Sequence, residues 1–308
     1  DGVDVVSFSL GGADLGWGPD DIALYNTAAA GVFVAVSAGN DGPGASTVQA
    51  GAPWYTTVAA ATTPAFAATV RLSDGFDAPG VSASVRADAP VSGPVVLAAD
   101  VAREGAADAD LCYADTLDPD LAAGRIVVCD RGTNPRAEKA LEVADAGGIG
   151  MILVNAAPDS VDAELDVIPT VHLDVASRAG LLAAVADGGL TATLTAGEFT
   201  QEAIPTPQIA GFSGRGPLGD GEVLSPDVAA PGVGILSAVK DAAVRDTSAG
   251  EPAWGIASGT SLAAPHVAGL AAVYLGVHPD ATPDEIKSAL MTTASDTVNA
   301  DGSAGIDP

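Results

Sequence analysis

An α/β fold with a mainly parallel sheet is what this 308-residue sequence predicts, on three observations. Short apolar runs, of a length suited to buried strands, alternate with helix-length segments. The runs end in turns rich in Gly, Asn and Pro. Hydrophobic residues make up 48% of the chain but aromatic ones only 4%, so the core must be built from Ala, Val, Leu and Ile.

The elements follow in order. Residues 3–10 read as a buried strand that stops at Gly11-Gly12. A short helix spans about 19–30, with Pro19 at its start and Gly31 just past its end. Residues 32–37 form a second strand and run into Ala38-Gly39-Asn40-Asp41-Gly42. Strand, helix, strand in this order is a right-handed parallel crossover. Residues 58–61 are a further apolar segment. Residues 66–81, with Asp74-Gly75 in the middle, read as a hairpin.

Near residue 84 the character changes. Residues 124–129 and 149–155 are strands, with an Ala/Glu/Lys-rich helix over 134–146 between them that ends at Gly147-Gly148. Residues 168–173 are a strand, and 174–187 a helix ending at Gly188-Gly189. Pro205-Thr206-Pro207 marks a boundary. Pro and Gly in residues 209–217 and 224–232 fit rigid turns. Thr282-Pro283-Asp284-Glu285 opens a last helix with an N-cap, a proline and early acids.

The chain is organised around Gly259-Thr260-Ser261-Leu262-Ala263-Ala264-Pro265-His266-Val267-Ala268-Gly269. A tight turn feeds an apolar helix with Ser261 at its N-terminus, where free N–H groups and the helix dipole favour negative charge. Pro265 falls in the first turns, where a missing N–H costs little. Serine also caps helices, so the string alone leaves a capping role open. It is not the Gly-x-Ser-x-Gly elbow, because Ala263 stands where the second glycine would be.

These eleven residues closely resemble the nucleophile segment of subtilisin-like serine peptidases (subtilases). The resemblance implies that Ser261 is the nucleophile. Taken alone, Asn40 reads as a turn residue, but Ser37-Ala38-Gly39-Asn40 after a buried strand is similar to the subtilase segment that supplies the oxyanion-hole asparagine. In subtilisin the loss of that donor costs roughly 10²–10³ in turnover. Ser9, Leu10 and Gly11 resemble the strand edge that pairs with extended substrate, and Ala38 and Gly39 line the same cleft. The segments at 209–217 and 224–232 resemble loops packed around the subtilase site, with Arg215 as a structural ion-pair partner.

Residues 84–198 resemble the protease-associated (PA) domain that some subtilases carry as an insert. The match rests on Gly124-Arg125-Ile126-Val127-Val128-Cys129, on the turn and strand through Asn155, and on Ile168-Pro169-Thr170-Val171. The expected organisation is therefore a peptidase domain in two parts, 1–83 and 199–308, interrupted at 84–198. The sheet would be subtilisin-like, with helices on both faces. The insert has no evident nucleophile, base or metal set. His172 sits alone in an apolar strand and reads as structural, so the insert is expected to bind peptide, gate access or mediate self-association.

A serine nucleophile needs a base, and the base an orienting carboxylate. There are three histidines, His172, His266 and His278. His266 lies five residues after Ser261 on the same helix and is turned from the hydroxyl. No His-Gly-Thr-His, Asp-Thr-Gly or Asp-Ser-Gly string is present. Since the family orders its triad Asp, His, Ser, the expectation is a fragment that lacks the Asp and His and is inactive alone. The competing class is a non-catalytic peptide- or protein-binding protein on a disabled peptidase scaffold. An unrelated ligand-binding α/β domain would leave the Ser261 and Asn40 segments unexplained together.

The net charge of −28, from 40 acidic and 12 basic residues, excludes nucleic acid as an expected partner. Protein or peptide substrates remain. No apolar run reaches transmembrane length, and no basic-then-apolar leader precedes residue 1. The chain is then cytosolic or lacks its N-terminus; the resemblance implies a secreted protein. Cys112 and Cys129 are too few for a thiolate metal cluster and are either one disulfide or two buried thiols. No cofactor is required. The family allows a structural calcium, but no ligand set for it is visible.

Overall fold

The computed structural model describes residues 2–11, 18–200, 206–218, 223–239, 253–299 and 302–305. The expected turn at Gly12, Pro205 of the expected boundary, and residues 306–308 lie outside these. In chain order the first elements are β1 (Val5–Phe8), α1 (Pro19–Ala29), β2 (Phe33–Ser37), β3 (Thr56–Ala61), β4 (Ala65–Leu72), β5 (Asp77–Val81) and β6 (Val91–Leu97). Next come α2 (Pro119–Ala122), β7 (Ile126–Arg131), α3 (Arg136–Asp145), β8 (Gly150–Asn155), β9 (Thr170–Leu173), α4 (Val175–Ala186) and β10 (Thr191–Thr200). The last are β11 (Val228–Pro231), β12 (Ile235–Val239), β13 (Ala253–Ala257), α5 (Thr260–Val277), α6 (Pro283–Thr293), β14 (Thr297–Val298) and β15 (Ala304–Gly305).

The chain divides into two compact units. The first comprises residues 1–63, 205–235 and 257–308, and the second residues 64–204 and 236–256.

In the first unit β1, β2, β3 and β11 make a four-stranded, all-parallel sheet in that order. All of β2 and β3 is buried, as expected of strands covered on both faces. The alternation along β2 decides what each face meets. Phe33 and Ala35 pack with α5 residues Ala263, Ala264, Val267 and Ala271. Val34 and Val36 pack with Leu24 of α1 and with Tyr55. Helices therefore cover both faces, as the sequence predicts.

One expectation is corrected here. Residues 228–231, read as a rigid turn, form β11, in parallel register with β3 from Val228↔Val58 to Pro231↔Ala61. Pro231 ends an outermost strand, where a missing donor is tolerated. A second correction concerns length. α5 has 18 residues and is apolar enough, by composition, to cross a membrane. Its buried face nevertheless belongs to the core cluster of this unit.

The second unit is a closed seven-stranded barrel in the order β10-β4-β5-β9-β8-β7-β6, with β6 pairing back to β10. β6 to β9 run parallel; the other pairs are antiparallel. The interior is aliphatic, with Val70, Leu72, Ile126, Ile152, Val171 and Leu194 fully or almost fully buried. The hairpin β4–β5 belongs to this barrel, so the compact unit starts at residue 64 rather than at the expected 84. The turn Asp74-Gly75, with Gly75 at φ +101, is as predicted. β6 and β10 carried no readable signal, because Gly93 and Pro94 interrupt one and small polar residues fill the other. Cys112 and Cys129 form a disulfide with Cα atoms 5.9 Å apart, which settles the alternative that the sequence left open.

Candidate active site

The site lies at the carboxyl ends of β1 and β2, the usual ligand position in an open α/β sheet. β1 runs out into Ser9-Leu10-Gly11 and β2 into Ala38-Gly39-Asn40. The head of α5 is brought to them by its preceding turn. Gly259 N–H donates to Gly232 O at 2.8 Å, and Gly232 N–H to Ala61 O at 2.9 Å. A Cβ at Gly232 would stand 2.6 Å from that of Ala60, so only glycine fits.

Thr260, fully buried, is the organising side chain, and sequence reasoning did not single it out. Its N–H and its hydroxyl both donate to Asn40 Oδ1, each at 3.0 Å. The same hydroxyl accepts from Gly39 N–H at 3.2 Å. With Oδ1 occupied by two donors, the Asn40 amide is fixed by its network, and its Nδ2 donors face outward. A Cβ built on Gly259 would lie 3.7 Å from Asn40 Nδ2 and 3.7 Å from Ser261 N. Both N–H donors therefore border one open spot beside Gly259.

Ser261 is the second residue of α5, and the N-cap position is Gly259, which has no capping side chain. The hydroxyl of Ser261 donates instead to Ser9 O at 3.3 Å, and Ser9 Oγ donates to Ser261 O at 2.8 Å. The second bond has a cause in the sequence. The carbonyl of Ser261 would ordinarily accept from the N–H four residues on, but that residue is Pro265. The Ser9 hydroxyl supplies the missing donor and ties the end of β1 to the head of α5.

Gln49 is the other residue that the sequence did not flag. Its N–H donates to Ala38 O at 2.8 Å, and its Nε2 donates to Asp41 Oδ2. A Cβ at Gly11 would meet Gln49 Oε1 at 2.6 Å, and one at Gly39 (φ +92) would meet the Gln49 side chain at 2.7 Å. Residues 209–217 brace this region. Ser213 Oγ accepts from Ala60 N–H, and Gly214 N–H donates to Gly39 O. Arg215 Nη1 donates to the carbonyls of Ala210 and Ser213.

The sequence-derived residues Ser9, Leu10, Gly11, Ala38, Gly39, Asn40 and Ser261 are thus brought together. The histidines are engaged elsewhere. His266 Nδ1 meets Leu262 O of its own helix at 2.8 Å. His278 stacks on Tyr274, with ring centres 4.6 Å apart. His172 lies inside the second unit. Its Nδ1 accepts from Asp162 N–H at 2.9 Å and its Nε2 meets Asn155 Oδ1 at 2.8 Å. Burial, then the Arg136 charge, pushes its pKa down to about 3, so it is neutral. Among the described residues, no group of three or more His, Cys, Asp or Glu is arranged to hold a metal ion.

The fold and cleft define an α/β protein that presents a serine hydroxyl between amide donors at a sheet end. The chain belongs to the subtilase family, whose profile matches residues 1–306. "Subtilisin-like protease SBT1.6" of Arabidopsis thaliana is 41% identical over 309 residues, which is 96% of this chain and 40% of that protein. A "CO(2)-response secreted protease" of the same plant is 35% identical over 320 residues, 98% of this chain and 41% of its own. The chain thus spans about two fifths of the length of these curated relatives. The solved structure of the psychrophilic subtilisin-like protease Apa1 from Pseudoalteromonas sp. AS-11 is similar with a TM-score of 0.36 at 16% identity, over 96% of this chain and 65% of that one.

Proposed function

We propose that this chain is the nucleophile-bearing part of a secreted, subtilisin-like serine endopeptidase. The carrying observation is the grouping of Ser261 Oγ, Ser261 N–H and Asn40 Nδ2 around one cleft. Ser261 Oγ attacks the carbonyl carbon of the peptide bond and loses its proton to a histidine base. The oxyanion is held by Asn40 Nδ2 and Ser261 N–H. The base returns the proton to the leaving amine, and water then releases the acyl group by the reverse path. Extended substrate lies along Ser9, Leu10 and Gly11, which continue β1, the outermost strand of its sheet among the described residues, and its side chains meet Ala38 and Gly39. This chemistry requires no cofactor.

The base and its carboxylate come from chain outside these 308 residues. Two observations support this. The three histidines are all committed to other partners. Among the described residues α5 also leaves an apolar face uncovered, with Leu270 55%, Val273 68% and Val277 71% exposed. A helix that is apolar all round belongs in a core. The barrel unit is a PA-like module that binds peptide or mediates self-association. The Cys112–Cys129 disulfide supports an oxidising, extracellular setting.

The test is peptide hydrolysis by a longer protein that holds these residues behind upstream Asp and His segments. Ser261→Ala should abolish turnover, and Asn40→Ala should lower it by about 10²–10³. Turnover that survives Ser261→Ala would refute the assignment. Peptide binding without any turnover would favour the non-catalytic scaffold.

A further inference from the structure

Residues 156–169, which join β8 to β9, are fastened to the barrel by polar anchors. Asn155 Nδ2 donates to Asp159 O at 2.9 Å and to Ser160 O at 3.2 Å. Arg136 of α3 pairs with Asp162 and with Glu164, each at 2.8 Å. His172 of β9 holds the middle. Asn155 Oδ1 takes the proton of its Nε2, which leaves Nδ1 as the acceptor for Asp162 N–H. Four carboxyl groups, of Asp159, Asp162, Glu164 and Asp166, thus gather about two guanidinium groups, of Arg131 and Arg136. Asp166 is the carboxyl left over. Its Oδ1 is buried with no hydrogen-bond partner among the described residues.

We propose that this loop is a latch released by alkali: it is shut in acidic solution and lifts as the solution turns alkaline, uncovering Arg136 and His172. Asp166 faces Glu164 of its own loop, Arg136 of α3 and the Thr170 hydroxyl of β9; burial, then the Glu164 charge, pushes it up to about 8. Lifting returns it to water and to about 3.9. The shut loop therefore keeps a proton that the lifted loop gives up. Opening gains up to tenfold per pH unit from about 4 to about 8 and levels off above, where the shut form is ionised too. His172 sets where this rise begins. It faces Arg136, Arg131 at the end of β7, and Asp174 ahead of α4; burial, then the Arg136 charge, pushes it down to about 3. Uncovered, it titrates near 6.5, so below that pH opening takes up a proton on His172 as it releases one from Asp166. The two gradients cancel there, and release starts only above about pH 6.5.

The test reads opening by thiol reactivity in the 308-residue chain. Ala163 lies under the loop, 9% exposed, and both native cysteines are bonded to each other, so Ala163→Cys adds a single thiol. Its rate with 4,4′-dithiodipyridine is divided by that of a free cysteine peptide at each pH from 5 to 9. The ratio should be flat to about pH 6.5, rise by roughly tenfold per unit to about 8, and then level. Asp166→Asn should abolish the rise. His172→Gln should extend it below pH 6.5. Ala192→Cys, fully buried in the barrel interior, reports unfolding of the whole unit and should react far more slowly. A flat ratio, a rise that persists in Asp166→Asn, an onset that His172→Gln leaves unmoved, or equal rates at positions 163 and 192 overturns the latch.

Discussion

At the head of α5 polar groups are held by backbone and by small side chains, with no charged side chain among their described hydrogen-bond partners. Thr260, Ser9 and Gly39 do the positioning. In the barrel unit the corresponding work is done by buried charge. Arg136, 7% exposed, spans Asp162 and Glu164 at 2.8 Å each. The contact with Asp162 is a close ion pair without hydrogen-bond alignment. Lys139, wholly buried, donates to Leu111 O and to Asn134 Oδ1; burial, then the Arg131 charge, pulls its pKa down to about 8. An uncharged helix head suits a reaction whose charge appears only in the transition state, because preorganised dipoles then act at the oxyanion position itself. Buried ions tie down the loop of residues 156–169, whose large apolar side chains Leu165 and Val167 stay exposed rather than anchoring it.

Arg136→Met should sharpen this contrast most. Removing one partner leaves Asp162 and Glu164 uncompensated, and thermal unfolding of the barrel unit should show a loss of about 3–5 kcal/mol. The same experiment with Met at both Arg136 and Asp162 should recover part of it. If the single variant melts like the parent, the loop is held by something other than charge. Next is the disulfide. Cys112→Ser with Cys129→Ser opens a loop of sequence separation 17, and denaturant titration should show about 3 kcal/mol lost.

Smaller effects come from titration. Burial, then the charge of Glu164, pushes Asp166 up to about 8, and its Oδ1 has no hydrogen-bond partner. The fold therefore prefers the neutral acid. That contribution is complete below the unfolded pKa of about 3.9 and is lost as pH rises through about 8. Asp166→Asn should gain stability over the parent as pH increases across this window. His172 acts in the other sense. Its folded pKa of about 3 lies below the unfolded value of about 6.5. Its contribution is present above 6.5 and lost as pH falls towards 3. A melting profile of the parent that is flat from pH 3 to 8 would contradict both assignments.

The smallest effect tests the uncharged side of the comparison. Ser9→Ala removes the donor that replaces the missing Pro265 N–H, and should cost about 1–2 kcal/mol of stability. It should also lower turnover in the active protein, because Ser261 is no longer tied to β1. Ser9→Thr should retain most of both.

Much of the first unit was readable because its signals are local. The string around Ser261 and the Ser37-Ala38-Gly39-Asn40 turn each encode their own conformation. What stayed hidden was partnership across the chain. Thr260 and Asn40 are separated by 220 residues, so nothing near Thr260 says what its hydroxyl holds. Gln49 sits in a loop with no period, and only the bare faces of Gly11 and Gly39 give it meaning. β11 was concealed by its proline and glycine neighbours. In the barrel, Arg136 reads as a surface helix residue until the loop carrying Asp162 and Glu164 folds over it.

The central claim is that these 308 residues hold the nucleophile and its oxyanion donors but not the base. Labelling of the purified chain with a fluorophosphonate, beside Ser261→Ala, tests it most directly. The account expects no labelling that depends on Ser261, and its appearance once upstream Asp- and His-bearing segments are added. Labelling of the bare chain that Ser261→Ala abolishes would contradict it, and would place an activating base within the sequence described.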